Sequence, residues 1–267
     1  MRPILLEFGD LRIHSFGVLV ALGFLLGLRA AASNARRAGL NGDVIYDLAP
    51  WLIGSGLIGA RLMYVVSYWN ESFAGQPWRE VFAVWKGGLV FYGGLILAIL
   101  VGMGRIRSLG LPLWTTADCL APGIALGHVF GRLGCLLNGC CYGRPTQLPW
   151  AIHFPNGHSS GGLGVHPSQI YESLLNLAFF IALMWGFRRR RFPGQIFAIY
   201  LMGYALLRAF TEWFRGDYAR LSQPLSGSFT PGQSTGLIIL VAGVALYFTL
   251  KPKAAAAATG TGTPTEP

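Results

Sequence analysis

Apolar runs of near-spanning length recur along almost the whole chain, and Arg, Lys, Pro or Gly punctuates their ends. A helix needs about 20 predominantly apolar residues to cross the hydrocarbon core of a bilayer. Seven segments approach that length: about Phe16 to Ala32, Tyr46 to Tyr68, Gly88 to Met103, Ala117 to Leu137, Pro167 to Phe187, Gln195 to Phe214 and Gly232 to Leu250. The pattern predicts an all-α, polytopic membrane protein with about seven transmembrane helices. Gly54, Gly56 and Gly59 in the second run are spaced for close helix contact. A stretch rich in Trp and polar residues follows it (Trp69, Asn70, Glu71, Gln76, Trp78), suited to a membrane interface.

Composition sharpens this reading. Of 267 residues, 53% are hydrophobic and 12% charged, about half the charge of a soluble domain. The net charge of +10 does not point to nucleic acid, because the basic residues sit mainly beside the ends of apolar runs, where they act as topology and headgroup signals. With the N-terminus outside, the inner segments hold Arg29, Arg36, Arg37, Arg105, Arg107, Arg188 to Arg191, Lys251 and Lys253. The outer ones hold the fewer Arg2, Arg12, Arg79, Lys86, Arg144, Arg215 and Arg220. The positive-inside rule therefore predicts an outer N-terminus and a cytoplasmic C-terminus. The opening MRPILLEFGDLRIHSFG has a broken apolar run and no small-residue cleavage site, so no cleaved leader is expected. No internal repeat stands out. A single domain over 1–250 is expected, with 251–267 as a disordered, low-complexity cytoplasmic tail.

Against this background the stretch GRLGCLLNGCCYGRPT, Gly131 to Thr146, is unusual. It sets Arg132 near the end of an apolar run, followed by an asparagine, glycines and three of the four cysteines. Charge and broken helix persist in a bilayer only where protein or water covers them. Arg61, Arg132 and Arg208 lie within or at the edge of spans, each at a cost of roughly 2.5–3.5 kcal/mol at mid-bilayer. Pairing with Asp118, Glu172 or Glu212 would account for any one of them. For all three, an anionic ligand is the better account, since the guanidinium fork matches phosphate, and phospholipid is the anion at hand.

Tyr204, Arg208 and Glu212 share one helical face; the last two form either a structural ion pair or one in which Glu212 orients Arg208 or moves a proton. WKGGLVFYGG brackets Tyr92 with glycines, and its hydroxyl would serve as hydrogen-bond donor or base. His14 joins the binding candidates, although a lone histidine is more often structural. Cys135, Cys140 and Cys141 in a C-x4-C-C spacing match the paired ligands of zinc or redox sites poorly, so neither metal nor organic cofactor is expected; a disulfide with Cys135 is conceivable on an oxidising face.

GRLGCLLNGCCYGRPT, WKGGLVFYGG, HPSQIYE, YALLRAFTEWFR and PGQSTG, in this order over about residues 8 to 250, together resemble the prolipoprotein diacylglyceryl transferases of bacterial inner membranes. The resemblance implies transfer of diacylglyceryl from phosphatidylglycerol to the lipobox cysteine of a prolipoprotein signal peptide, with release of glycerol phosphate. It implies a site toward the outer face of the inner membrane. Arg132 matches the family's phosphatidylglycerol-binding arginine, with Asn138, Gly143 and Arg144 in the same signature. Tyr204, Arg208 and Glu212 match its YxxxRxxxE segment, whose arginine is regarded as essential. Four positions depart: Tyr92 stands where the best-known members have histidine, Cys135 for asparagine, Cys140 for glutamate and Phe16 for tyrosine.

The implied chemistry suits the residues. A thiol must lose its proton to attack carbon, and the anionic phosphate ester that leaves is stabilised by cations. Arg132 and Arg208 hold the phosphate in this reading, with Arg61 and His14 as further binding candidates, and Tyr92 or Glu212 assists deprotonation. Two other classes stay open: a membrane thiol–disulfide enzyme using the cysteines, and a non-catalytic lipid-binding relative on the same scaffold.

Overall fold

The computed structural model describes residues 3–8, 11–155, 157–216 and 231–259. Two short strands, β1 (Ile4–Phe8) and β2 (Leu11–His14), form an antiparallel hairpin ahead of helix α1 (Ser15–Arg37). Then come α2 (Asp43–Ser67), α3 (Phe91–Ser108) and α4 (Leu113–Asn138). A loop with the two-residue strands β3 (Ile152–His153) and β4 (Gly164–Val165) leads to α5 (Ser168–Phe187), α6 (Gln195–Glu212) and α7 (Pro231–Thr259). Six of these helices are long and apolar enough to cross a membrane. The other, α6, places Gln195, Arg208, Thr211 and Glu212 within 18 residues, which keeps it outside that group. The helical, multi-pass reading holds. Helix α7 runs through the alanine-rich stretch to Thr259; the remainder of the expected tail, like Arg2, Arg220 and the 217–230 segment, lies outside the described residues.

The chain divides into two compact units, one of residues 1–34 with 117–267, the other of residues 35–116. The first is turned inside out relative to a water-soluble protein. Leu25, Leu174, Ile181, Ile238 and Phe248 face outward, while Asp118, Ser168, Gln169, Glu172, Asn176 and Glu212 are buried. Small residues let the helices close on one another. A Cβ on Gly27 of α1 would sit 2.7 Å from the Gly123 carbonyl oxygen of α4, and one on Gly243 of α7 2.9 Å from Met202 of α6.

Asp118, a candidate partner for the intramembrane arginines, binds backbone instead. Its Oδ2 accepts from the Gly194 backbone N–H at 2.8 Å and its Oδ1 from Phe197 N–H at 2.9 Å. A buried carboxylate thus caps the first turn of α6, where backbone donors have no helical partner.

In the second unit α2 and α3 meet at glycines. A Cβ on Gly94 would lie 2.7 Å from the Gly56 carbonyl oxygen, and Gly59 and Gly93 face each other's backbone. Of the three expected contact glycines, Gly59 is tightly packed, Gly56 contributes only its carbonyl oxygen, and Gly54 takes no part in this crossing; a Cβ on Gly54 or Gly56 would meet open space. The glycines of WKGGLVFYGG suited either substrate or helix approach; Gly93 and Gly94 serve the helix approach. Arg61 is also committed here. Its Nε donates to Val81 O (2.8 Å), Nη1 to Gly87 O (2.7 Å) and Gly88 O (3.1 Å), and Nη2 to Glu80 O (2.6 Å). With Tyr64 and Phe73 rings each 5.4 Å from its guanidinium carbon, Arg61 organises the 78–88 loop instead of presenting its fork to a phosphate. Tyr92, in the first turn of α3, is half-exposed and packs edge-on against Phe91.

Candidate functional site

Helix α5 explains how a polar site can exist inside the first unit. Ser168, Gln169, Glu172, Ser173 and Asn176 are buried, and their spacing places them along one stripe of a 3.6-residue helix. Each reaches a different part of the neighbouring structure. Ser168 Oγ donates to Cys141 O (2.7 Å) and Gln169 Nε2 to Cys140 O (2.8 Å), which anchors the turn after α4. Ser173 Oγ donates to Val129 O of α4 at 3.2 Å. Between these contacts stands Glu172.

Glu172 joins two arginines from different helices. Its Oε2 lies 2.7 Å from Arg132 Nε on α4, and its Oε1 3.7 Å from Arg208 Nη1 on α6. Arg208 Nη2 in turn lies 3.0 Å from Glu212 Oε2. The result is an alternating line, Arg132–Glu172–Arg208–Glu212, with the Glu172 and Glu212 side chains 5% and 0% exposed. Buried charges persist when paired like this. Arg132 closes one end and is the most exposed member, at 21%. Its Nη1 and Nη2 make no hydrogen bond among the described residues, so a guanidinium already oriented through Nε still has donors to offer.

At the other end, α7 begins over Glu212. A Cβ on Gly232 would lie 2.6 Å from Glu212 Oε1, so the PGQSTG segment brings the positive end of a helix dipole against the carboxylate. A Cβ there would force the carboxylate to shift. Tyr204 stacks on His128 of α4 (ring centroids 5.1 Å) and on Tyr200 (6.0 Å). Gln169 Oε1 is buried without a hydrogen-bond partner among the described residues, and the side chains of His128 and Asn176 meet in the same polar interior. A polar substrate or water would satisfy the Gln169 oxygen.

The rim comes from the loop after α4. Arg144 N donates to Phe214 O (2.8 Å), Gly143 N to His166 O (2.9 Å) and Gly216 N to Tyr142 O (3.3 Å). This sews the GRPT segment between the start of α5 and the end of α6. Gly143 is needed for that threading, since a Cβ would sit 2.5 Å from His166 Cβ and 2.7 Å from Phe214 O. It shapes the rim and has no side chain to bind with. Arg144 Nε donates to Arg215 O at 3.1 Å, leaving its exposed guanidinium beside the backbone of 215. Asn138 ends α4, exposed, with Nδ2 3.7 Å from Cys140 Sγ. Hydrogen bonds with the Cys135 and Cys140 thiols, and then the charges of Arg215 and Arg132, hold the Cys141 thiol well below the usual thiol range.

Of the residues singled out from sequence, the first unit thus brings Arg132, Tyr204, Arg208 and Glu212 together, with Asn138 and Arg144 at the rim. His14 lies exposed in β2, paired with Ile4. Tyr92 and Arg61 belong to the second unit. Sequence reasoning gave no role to His128 or Gln169 and treated Glu172 only as one partner among several. The signal was present: polar residues at helical spacing inside an apolar run.

Fold and site define a polytopic α-helical membrane protein with an arginine–glutamate line buried inside it, a class equipped to handle an anionic group at the bilayer. The sequence model described as prolipoprotein diacylglyceryl transferase matches residues 3–249, and the chain belongs to that family. Relatives named phosphatidylglycerol–prolipoprotein diacylglyceryl transferase are similar over most of both chains. One from Geobacter sulfurreducens is 36% identical, covering 91% of this chain and 93% of the relative. One from Bordetella bronchiseptica is 35% identical, with 94% and 96% covered, and one from Synechococcus elongatus 35% identical, with 91% and 85% covered.

Proposed function

We propose that the protein transfers the diacylglyceryl group of phosphatidylglycerol to the lipobox cysteine of prolipoproteins, in the bacterial inner membrane, with the site toward the outer face and the C-terminus in the cytoplasm. The observation that carries this reading is Arg132, held through Nε by buried Glu172, with no hydrogen bond from its terminal nitrogens among the described residues. Such a guanidinium offers a bidentate face to a phosphodiester. Arg208, the next cation along the line, stabilises the charge that grows on the departing phosphate.

The step balances simply. The substrate thiol gives up its proton, its sulfur forms a bond to the glyceryl carbon, and the carbon–oxygen bond to phosphate breaks. Glycerol phosphate leaves with the electron pair. Glu212 takes the thiol proton, and the rim residues Asn138 and Arg144 guide the lipid headgroup. The nucleophile belongs to the substrate, so none of the enzyme's cysteines has to attack.

Arg132→Ala and Arg208→Ala each abolish transfer of radiolabelled diacylglyceryl from phosphatidylglycerol to a lipobox peptide in this reading, while the protein still inserts in membranes. Full transfer by both variants would overturn it. Growth rescue of a strain depleted of its own transferase separates this reading from thiol–disulfide exchange and from non-catalytic lipid binding.

A further inference from the structure

Three thiols converge where α4 ends. The Sγ atoms of Cys135, Cys140 and Cys141 all lie within 4.8 Å of one another. The C-x4-C-C spacing gave no reason to expect a metal; the fold of the turn changes that. Cys135 O accepts both Gly139 N–H (2.9 Å) and Cys140 N–H (3.1 Å), so the chain doubles back over the last helical turn. Gly139 and then Cys141 take positive φ, 79° and 62°. Cys141 is the one non-glycine residue in that conformation among the described residues, and L side chains avoid it. Ser168 and Gln169 hold the carbonyls of Cys141 and Cys140 and keep the turn in place. Strain that its surroundings enforce is a pointer to function.

We propose that Cys135, Cys140 and Cys141 form a three-thiolate site for a thiophilic divalent cation of the zinc class. A Zn–S bond of about 2.3 Å puts three coordinating sulfurs roughly 4 Å apart, so the three need to draw in by less than about 1 Å. All three thiols are partly exposed, which gives a cation access. Three thiolates around a dication leave one negative charge, and the Arg132 and Arg215 guanidiniums lie near enough to the Cys141 thiol to offset it. The neighbouring His158 does not complete the set. Its Nε2 donates to Gly139 O (2.7 Å), and its Nδ1 accepts Ser160 N–H (3.1 Å). Three protein ligands therefore leave a fourth position for water or a small ligand. None of the three ligands is among the residues proposed to carry the transfer; the site shares with it only the charge of Arg132.

The test is titration of the full-length protein, purified in detergent under a phosphine reductant and treated with chelator, with Cd2+. A sulfur-to-cadmium absorption band that saturates at one equivalent per chain is expected. Cys135→Ser, Cys140→Ser and Cys141→Ser should each weaken binding by more than about 100-fold, beyond the 10–100-fold typical of losing an outer-shell partner. Cys119→Ser, at the buried fourth cysteine, should leave the band intact, and melting temperatures identify any variant that fails to fold. No saturable band would overturn the proposal, as would a band that survives Cys140→Ser. So would a disulfide among the three in protein whose thiols were blocked during lysis.

Discussion

Glu172 is where the site is most vulnerable, and replacing it by glutamine isolates its charge from its shape. The carboxylate lies 2.7 Å from Arg132 Nε and 3.7 Å from Arg208 Nη1, with 5% of its side chain exposed. Each contact at about 4 Å is worth roughly 4 kcal/mol at an effective dielectric near 20, before desolvation is subtracted. Removing one partner of a buried pair costs about 3–5 kcal/mol net, because the remaining charge is left uncompensated. Glutamine keeps an acceptor for Arg132 Nε, which places Glu172→Gln at the low end, about 3 kcal/mol. At about 2–4 °C per kcal/mol for a chain of this size, its melting temperature in detergent falls by about 6–12 °C. Glu172→Ala, which also loses the acceptor, falls further. Function responds differently. With a neutral amide between them, Arg132 and Arg208 attract a phosphate more strongly but no longer share a fixed anchor. The KM for phosphatidylglycerol therefore holds or falls, while kcat drops. Steady-state transfer to a lipobox peptide in mixed micelles separates the two constants. A variant with wild-type melting temperature and wild-type kcat would refute the bridging role.

Three further substitutions probe the supports of the site. Asp118→Ala removes the acceptor that caps α6 through Gly194 and Phe197; stability falls by about 1–2 kcal/mol with KM unchanged, and a changed KM in the folded variant would contradict a purely capping role. Gly232→Ala puts a methyl 2.6 Å from Glu212 Oε1, so the carboxylate must move; transfer falls in protein that inserts normally, and retained activity would show that the α7 start does not fix Glu212. Arg61→Lys replaces a fork that spans Glu80, Val81, Gly87 and Gly88 carbonyls with a single ammonium, which cannot reach all four. Limited proteolysis then cuts the 78–88 loop faster, and an unaltered cleavage pattern would count against the loop-holding role.

Most of the helices were legible because the bilayer imposes a length and an apolar composition that short loops interrupt visibly. The chemistry was legible only in part, since a sequence shows where a charge is but not what faces it. Asp118 and Arg61 looked like the other intramembrane charges, yet both are spent on backbone groups, one capping a helix and the other gathering carbonyls. The convergence of the three cysteines was hidden for a related reason. Ligand spacing is read along a regular helix or hairpin, and no local propensity announces a left-handed cysteine held by side chains about 28 residues later, as Ser168 and Gln169 hold this turn. Helix α5 marks the recoverable part. In water an apolar stripe at helical spacing marks the face that turns inward; in a span the rule inverts, and polar residues at that spacing do so. Applied to SQIYESLLN, the inverted rule selects Ser168, Gln169, Glu172, Ser173 and Asn176, all of which are buried. It places Glu172 at the middle of the stripe before any contact is known.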